Sequence, residues 1–311
     1  MISIVIPLYN EQETIPELHR RLTDAMKNVN DSYEIIWIND NSKDDSLRVM
    51  KSFAEKDTHV KVIDFARNFG HQIAITAGID SANGEAVILM DGDLQDPPEL
   101  LPDMIAKWKT GFEVVYTIKK SRKENIVKRF AFHSFYTVMK RFSSIAIPME
   151  AGNFSLMDRK VISVLKAMPE RNRYIAGMRA WAGFRQTGIS FDREARFAGK
   201  PQMTIMRLIN FALDGIFSFS NAPLRFATYI GFFIALFSFA GALYVLYEKL
   251  FTDKAILGWS STIISILFTG GMILFTLGII GEYIGRIYDE VKQRPLYIVR
   301  EKIGFEETKN K

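Results

Sequence analysis

The chain has 311 residues, with 40 Lys and Arg against 35 Asp and Glu for a formal net charge of +5, a length that suggests about two domains. At 48% hydrophobic and 24% charged residues it is too apolar to remain disordered and too charged to lie wholly within a membrane. The absence of Cys excludes disulfides, thiolate zinc sites, iron–sulfur clusters and cysteine nucleophiles, and leaves carboxylates, hydroxyls, bases or a hard metal for any chemistry.

Residues 1 to about 120 alternate short β-branched runs with amphipathic stretches, the pattern of an α/β domain on a mostly parallel sheet. Strands are predicted at Ser3–Ile6, Glu34–Ile38, Val60–Phe65, Glu85–Met90 and Glu113–Tyr116. Between them, Leu18, Leu22, Ala25 and Met26 share one helical face, and Leu47, Val49, Met50 and Phe53 share another. Ser42 with Asp45 reads as a capping box opening the second helix. The segment 1–222 is expected to stay where it is made, because Ile2–Ile6 is too short and too poorly led by basic residues for a signal peptide.

Within 124–145, Val127, Phe130, Ala131, Phe135, Val138, Phe142 and Ile145 recur at helical spacing among Lys128, Arg129, Lys140 and Arg141. Such a helix suits an anionic membrane surface, and equally an ordinary domain helix with a solvated face. In 203–220 only Arg207 and Asp214 interrupt an apolar run, which favours an interfacial helix. Two membrane spans are predicted in 223–285, at about 226–248 and 256–282. Phe226 to Tyr247 holds 22 residues without Asp, Glu, Lys or Arg, and Ala255 to Gly281 holds 27 more. Each exceeds the roughly 20 residues that cross a bilayer core. Arg207 and Arg225 before the spans, and Arg286, Lys292, Arg294, Arg300 and Lys302 in the basic tail 286–311, put both termini in the cytoplasm, on a multi-pass protein of the cytoplasmic (inner) membrane. Gly281 and Gly285 form a GxxxG spacing, a faint sign of helix pairing and hence of a homo-oligomer.

Four polar loops follow four successive predicted strands, and in parallel sheets ligands bind at the carboxyl ends of strands. Pro7-Leu8-Tyr9-Asn10-Glu11 offers an aromatic and an acid that can border a base and a sugar. Asn39-Asp40-Asn41-Ser42-Lys43-Asp44-Asp45 offers Asp40 to a nucleobase or ribose, and is equally an Asx-rich turn. Arg67-Asn68-Phe69-Gly70-His71 leaves the third strand, and His71 is the one His of four at a candidate rim. Asp91 and Asp93, in Met90-Asp91-Gly92-Asp93-Leu94-Gln95-Asp96-Pro97-Pro98-Glu99, are two carboxylates one residue apart at a strand end. They suit Mg²⁺ or Mn²⁺ on a diphosphate, although a lone Asp-x-Asp is common as a structural turn. No GxGxxG follows the first strand and no GxxxxGK[ST] occurs, which argues against a Rossmann dehydrogenase and a P-loop NTPase.

These segments, IPLYNE, NDNSKDD, ARNFG and MDGDLQDPPE, resemble the family 2 glycosyltransferases of the GT-A fold, the nucleotide-diphospho-sugar transferases. The segments at 154–160, 169–174, 191–197 and 217–220, followed by two spans, resemble the polyprenyl-phosphate subgroup, which includes GtrB-type bactoprenol glucosyltransferases and, more distantly, dolichol-phosphate mannose synthase. The resemblance covers residues 1 to about 300. It implies inverting transfer of a sugar, glucose slightly favoured, from a UDP-sugar to polyprenyl (undecaprenyl) phosphate, with Mg²⁺ or Mn²⁺ as cofactor and the lipid bilayer as a partner. No nucleic-acid partner is expected.

The resemblance implies that Asp91 and Asp93 hold the metal and, with Gln95 bordering sugar and acceptor, form the catalytic set. Pro7, Tyr9, Glu11, Asp40, Arg67 and Asp91 are then donor-binding residues. Arg122, Lys128, Arg129, Arg171, Arg193, Arg196 and Lys200 are candidates for the acceptor phosphate. Two departures stand out: Asn153 where the family commonly has an acid, and Gln202 near where relatives carry a Lys. A phosphate monoester is mostly dianionic at pH 7, with a second pKa of about 6, so Asn153 is expected to alter positioning without abolishing transfer. The alternatives are a processive polysaccharide synthase, against which stands the missing Gln in Ala176-Gly177-Met178-Arg179-Ala180-Trp181, and a non-catalytic scaffold binding nucleotide sugar or lipid.

Overall fold

The computed structural model describes residues 1–27, 29–119, 151–191, 222–251 and 258–305. They form two compact units, a sheet unit comprising 1–119, 151–191 and 294–305, and a helical unit comprising 222–251 and 258–293.

In the sheet unit, β1 (Ile2–Leu8) is buried along its whole length, as a run that is apolar but for Ser3 suits in a sheet with helices over both faces. It pairs in parallel with β2 (Tyr33–Asn39) on one side and with β4 (Ala86–Leu89) on the other. β3 (Val60–Phe65) adds in parallel to β2. The chain thus runs from β1 outward through β2 to β3, then crosses back to the far side of β1 for β4. This reversal makes the carboxyl ends of β1 and β4 the switch point at which sheets of this kind bind ligands. β5 (Val114–Lys119), β6 (Ala151–Asp158) and β7 (Gln186–Phe191) extend the sheet beyond β4, and β8 (Val299–Ile303) closes the opposite edge against β3, giving the order β7-β5-β6-β4-β1-β2-β3-β8. β6 is antiparallel to both β4 and β5, β8 is antiparallel to β3, and the other pairings are parallel.

The helices α1 (Ile15–Lys27), α2 (Ser46–Ala54), α3 (His71–Ser81), α4 (Leu101–Lys109), α5 (Arg159–Ala167) and α6 (Ile175–Trp181) complete this unit. α1 buries Ile15, Leu18, Leu22, Ala25 and Met26, the face its spacing predicts. Ile15, Leu18, Leu22 and Met26 join Ile4, Ile6, Trp37 and Val62 in one core. The capping box expected at Ser42 and Asp45 is not formed. Asp45 precedes α2 without a side-chain cap, Ser42 Oγ instead accepts the Asn10 N–H, and Asp44 Oδ1 takes both the N–H and the hydroxyl of Ser46. Local sequence offered Ser42 to the helix, and a neighbouring loop competed for it successfully.

Three strands lack a sequence signal. β6 (AGNFSLMD) and β7 (QTGISF) are poor in β-branched residues and contain Gly, and they are strands because β4 and β5 supply their partners. β8 lies in the stretch read as a basic tail.

The helical unit consists of α7 (Ala222–Phe251) and α8 (Trp259–Val291), about 45 and 50 Å long at 1.5 Å per residue. Each contains a stretch apolar and long enough to cross a membrane, at Pro223–Glu248 and Ile264–Val291. Their large apolar side chains, Phe232, Phe237, Leu267 and Leu274 among them, are exposed, so neither is the core helix of a soluble domain. α8 runs nine residues past the predicted end at 282, and Glu282 and Arg286 pair one turn apart at 2.9 Å in that last part of the helix. The amphipathic segments 124–145 and 203–220 lie outside the described residues.

Candidate functional site

Each of the four central parallel strands delivers a polar loop to the same edge of the sheet, and these loops hold one another. From the β1 loop, the N–H groups of Asn10 and Gln12 donate to Ser42 Oγ and Asp44 Oδ2 of the β2 loop, at 3.0 and 3.3 Å, and that of Glu11 to Ser46 Oγ at the start of α2, at 2.8 Å. In return the N–H groups of Lys43 and Asp45 donate to Asn10 Oδ1 and Gln12 Oε1. Asn10 and Asn41 both adopt left-handed backbone, with φ of 55° and 56°, a conformation that Asn tolerates better than most residues.

Asp40, nearly fully buried, ties the β2 loop to the β3 loop. Its Oδ1 accepts the Phe69 N–H at 2.7 Å and its Oδ2 the Gly70 N–H at 2.9 Å. Burial pushes its pKa up against the pull of these two donors and of His71 and Arg67, and burial prevails. Gly70, with φ of 94°, makes the turn into α3 that Asp40 grips. α3 then presents His71, whose Nε2 lies 2.8 Å from Asp91 Oδ1 in the β4 loop. Desolvation disfavours imidazolium there, but Asp91, Asp40 and Asp93 outweigh it and raise the His71 pKa above the ordinary histidine value.

The β4 loop is built for close approach. A Cβ on Gly92 would lie 2.2 Å from Leu8 Cδ2, so glycine lets the loop settle on the end of β1 without displacing the buried Leu8 side chain. Leu94 is left-handed at φ 59°, at a cost of about 1–2 kcal/mol, and its side chain is buried. The N–H of Gln95 donates to Asp93 Oδ1 at 3.1 Å. Backbone strain next to two partly exposed carboxylates is typical of functional loops.

The structure therefore brings Tyr9, Glu11, Asp40, Arg67, Asp91, Asp93 and Gln95 to one edge. Glu11 Oε2 accepts the Thr14 hydroxyl, and the Arg67 guanidinium lies 4.2 Å over the Phe69 ring. Pro7 is inside β1 and buried. Arg171 lies in the connection between α5 and α6 and donates to the Arg294 carbonyl. Arg122, Lys128, Arg129, Arg193, Arg196, Lys200 and Gln202 lie outside the described residues. Asn153 lies on β6, two residues before Ser155, which pairs with Leu89 in the last rung of the antiparallel β4–β6 ladder.

Among the described residues no three His, Asp or Glu side chains gather into a metal cage. Asp91 and Asp93 are two hard oxygen donors in one loop. That set fits Mg²⁺ or Mn²⁺ held jointly by one or two carboxylates and a substrate's phosphate oxygens, and does not fit a metal bound by protein alone.

Several partners at this edge carry no sequence signal. The Asn10, Asp44 and Ser46 contacts, and the pairing of His71 with Asp91, join residues 20 to 35 positions apart that only the topology makes neighbours.

Residues 3–165 match Glycosyl transferase family 2, and residues 222–287 match the GtrB C-terminal hairpin. The chain is 46% identical over 305 residues to the uncharacterized glycosyltransferase YkcC of Bacillus subtilis (strain 168), covering 98% of this chain and 94% of that protein. It is 39% identical over 300 residues to the SfII prophage-derived bactoprenol glucosyl transferase of Shigella flexneri, covering 96% and 97%. Among solved structures, mannosyl-3-phosphoglycerate synthase from Rubrobacter xylanophilus aligns over 69% of this chain and 71% of its own, with a TM-score of 0.48 and 14% identity.

Proposed function

Because the chain belongs to glycosyl transferase family 2 and ends in a GtrB-type hairpin, we propose that it moves one sugar from a UDP-linked donor, glucose by preference, to undecaprenyl phosphate at the cytoplasmic face of the membrane. It is a glycosyltransferase with a GT-A-type sheet domain and membrane-associated helices. The observation that carries the proposal is the Asp91-Gly92-Asp93 loop, held at the switch point of the sheet by the ends of β1 and α3. The relatives named as bactoprenol glucosyl transferases support the acceptor and the sugar.

In the proposed reaction an acceptor phosphate oxygen attacks the anomeric carbon, the bond from that carbon to the donor diphosphate breaks, and configuration inverts. The attacking phosphate monoester has a second pKa of about 6, so it arrives deprotonated and needs no protein base. Asn153, on β6 just beyond the last rung of the β4–β6 ladder, is compatible with this, since an amide can orient a phosphate without taking a proton. Asp91 and Asp93 would hold a divalent ion, which when bound neutralises charge building on the departing nucleotide. Tyr9, Glu11, Asp40 and Arg67 would seat the nucleoside, and Gln95 would border the sugar. The proposed acceptor contacts are Arg122, Lys128, Arg129, Arg171, Arg193, Arg196 and Lys200. The hairpin would tether the enzyme to the surface that carries its lipid acceptor, so that the two meet within one plane.

The test is a donor screen. Purified protein in lipid nanodiscs, with Mg²⁺ or Mn²⁺, undecaprenyl phosphate and a panel of radiolabelled nucleotide sugars, should give solvent-extractable lipid carrying one sugar, most from UDP-glucose. Polymer on the lipid, or no lipid-borne label from any donor, would reject the proposal.

A further inference from the structure

We infer that Arg300, on the strand that follows the membrane hairpin, is a positioning residue for the nucleotide-sugar site, so that β8 is part of the donor-binding apparatus and not only a cover for the sheet edge. The inference rests on the donor site proposed above.

Asp64, at the end of β3, is fully buried. A carboxylate out of water needs a cation and hydrogen bonds to offset its desolvation. Its Oδ1 accepts the Asn39 side-chain amide at 2.7 Å, and its Oδ2 lies 3.2 Å from Arg300 Nη1. Arg300 is the cation that pairs with it among the described residues. The other arm of the guanidinium reaches the rim, where Nη2 donates to the Ala66 carbonyl at 3.0 Å and to Asn41 Oδ1 at 3.4 Å. The Ala66 N–H in turn donates to the Ile298 carbonyl at 3.0 Å. Both backbone groups of the residue that opens the β3 loop are thus held by the segment after the hairpin.

From these anchors the contacts continue into the site by two routes. Asn39 Oδ1 accepts the Ser42 N–H, and Ser42 Oγ accepts the Asn10 N–H, so the Arg300–Asp64–Asn39 array fixes the β2 loop against the β1 loop. In parallel, Tyr297 stacks on Phe65 with ring centroids 5.4 Å apart and donates its hydroxyl to Asp80 at 3.0 Å. Phe65 meets the Phe69 edge, and Phe69 carries the Arg67 guanidinium. A strand needed only to cover an edge would be served by backbone pairing. Arg300 adds a planar fork that spans a buried carboxylate and two rim acceptors, which a point-charged lysine cannot reproduce.

The experiment uses full-length protein in nanodiscs, assayed for transfer at varied donor and at varied acceptor, with melting temperature measured alongside. Arg300→Ala should raise the KM for the nucleotide sugar about tenfold, and leave kcat at saturating donor and the KM for polyprenyl phosphate within about twofold. Arg300→Lys, which keeps a charge for Asp64 and loses the fork, should fold normally and give an intermediate donor KM. Glu301→Ala, which removes the exposed ion pair that the next residue makes with Lys51 of α2 and touches no donor-site loop, should leave donor KM unchanged. Wild-type donor KM in both Arg300 variants, or a fall confined to kcat or to melting temperature, would overturn the inference. Wild-type protein that transfers sugar preserves the parent reading whatever these variants do, whereas wild-type protein that transfers none removes it and this inference with it.

Discussion

Gly92 separates two carboxylates, and its lack of a side chain is what lets them stand where they do. Gly92→Ala drives a Cβ to within 2.2 Å of Leu8 Cδ2, so the buried Leu8 side chain must turn away or, where its packing resists, the Asp91–Asp93 loop must shift. The expected cost is about 1–3 kcal/mol of stability. Transfer should fall further than that loss explains, because both aspartates move. Thermal unfolding together with donor kcat/KM checks this, and a variant with reduced stability and full activity would show that the loop geometry is not critical. At this scale the sequence is informative where one residue carries a signal of its own. Two acids after an apolar strand stand out in the letters as a candidate ligand site, although alone they read as readily as a structural turn. The link from His71 to Asp91 does not, since nothing in either residue announces a partner twenty positions away.

Among the elements, β2 shows how the sheet unit depends on pH. At its start Glu34 is almost completely buried and accepts hydrogen bonds from Lys61 Nζ at 2.7 Å, Ser3 Oγ at 2.5 Å and the Asn83 N–H at 2.9 Å. Burial alone would raise its pKa, but these three donors outweigh burial and hold it below the ordinary value of 4.5. A depressed folded-state pKa stabilises the protein above the unfolded pKa, and that contribution is lost as pH falls through the lower folded value. Glu34→Gln should therefore cost about 3 kcal/mol at pH 7 and flatten the loss of stability on acidification below pH of about 4.5. Melting curves of both proteins from pH 3 to 7 read this directly, and parallel pH profiles would contradict it. Sequence periodicity served the elements unevenly. β1 to β5 and α1 carry their own apolar patterns and fall within a few residues of the expected positions. β6, β7 and β8 do not, because their strand character comes from partners already in the sheet, and the stretch that forms β8 reads as a charged tail because Arg300, Glu301 and Lys302 mask the alternation.

For the molecule as a whole, a sheet unit and an exposed apolar hairpin share one chain, and the chain returns from the hairpin to contribute β8. Helices of 30 and 33 residues with bare Phe, Leu and Ile surfaces have no stable place in water. The proposed orientation is directly testable because the chain has no native Cys. A single Cys introduced at Asp253, between the spans, should react with a membrane-impermeant maleimide in intact cells, and one at Lys27 should react only after the cells are opened. The reverse pattern would invert the topology. Hairpin and sheet class were legible in the sequence because both rest on long patterns of apolar spacing. The interlocking of the rim loops was not, since it depends on side chains from separate strands meeting at one edge.

The central claim is that Asp91 and Asp93, at the carboxyl end of β4, act on a nucleotide-sugar diphosphate while a polyprenyl phosphate receives the sugar. Side-by-side transfer by wild-type protein and Asp93→Ala, with labelled UDP-glucose and undecaprenyl phosphate, with and without added Mg²⁺ or Mn²⁺, tests it most directly. The account predicts lipid-borne label that requires the metal, and a loss of at least about 100-fold in Asp93→Ala with melting temperature preserved. Undiminished, metal-independent label transfer by Asp93→Ala would contradict it.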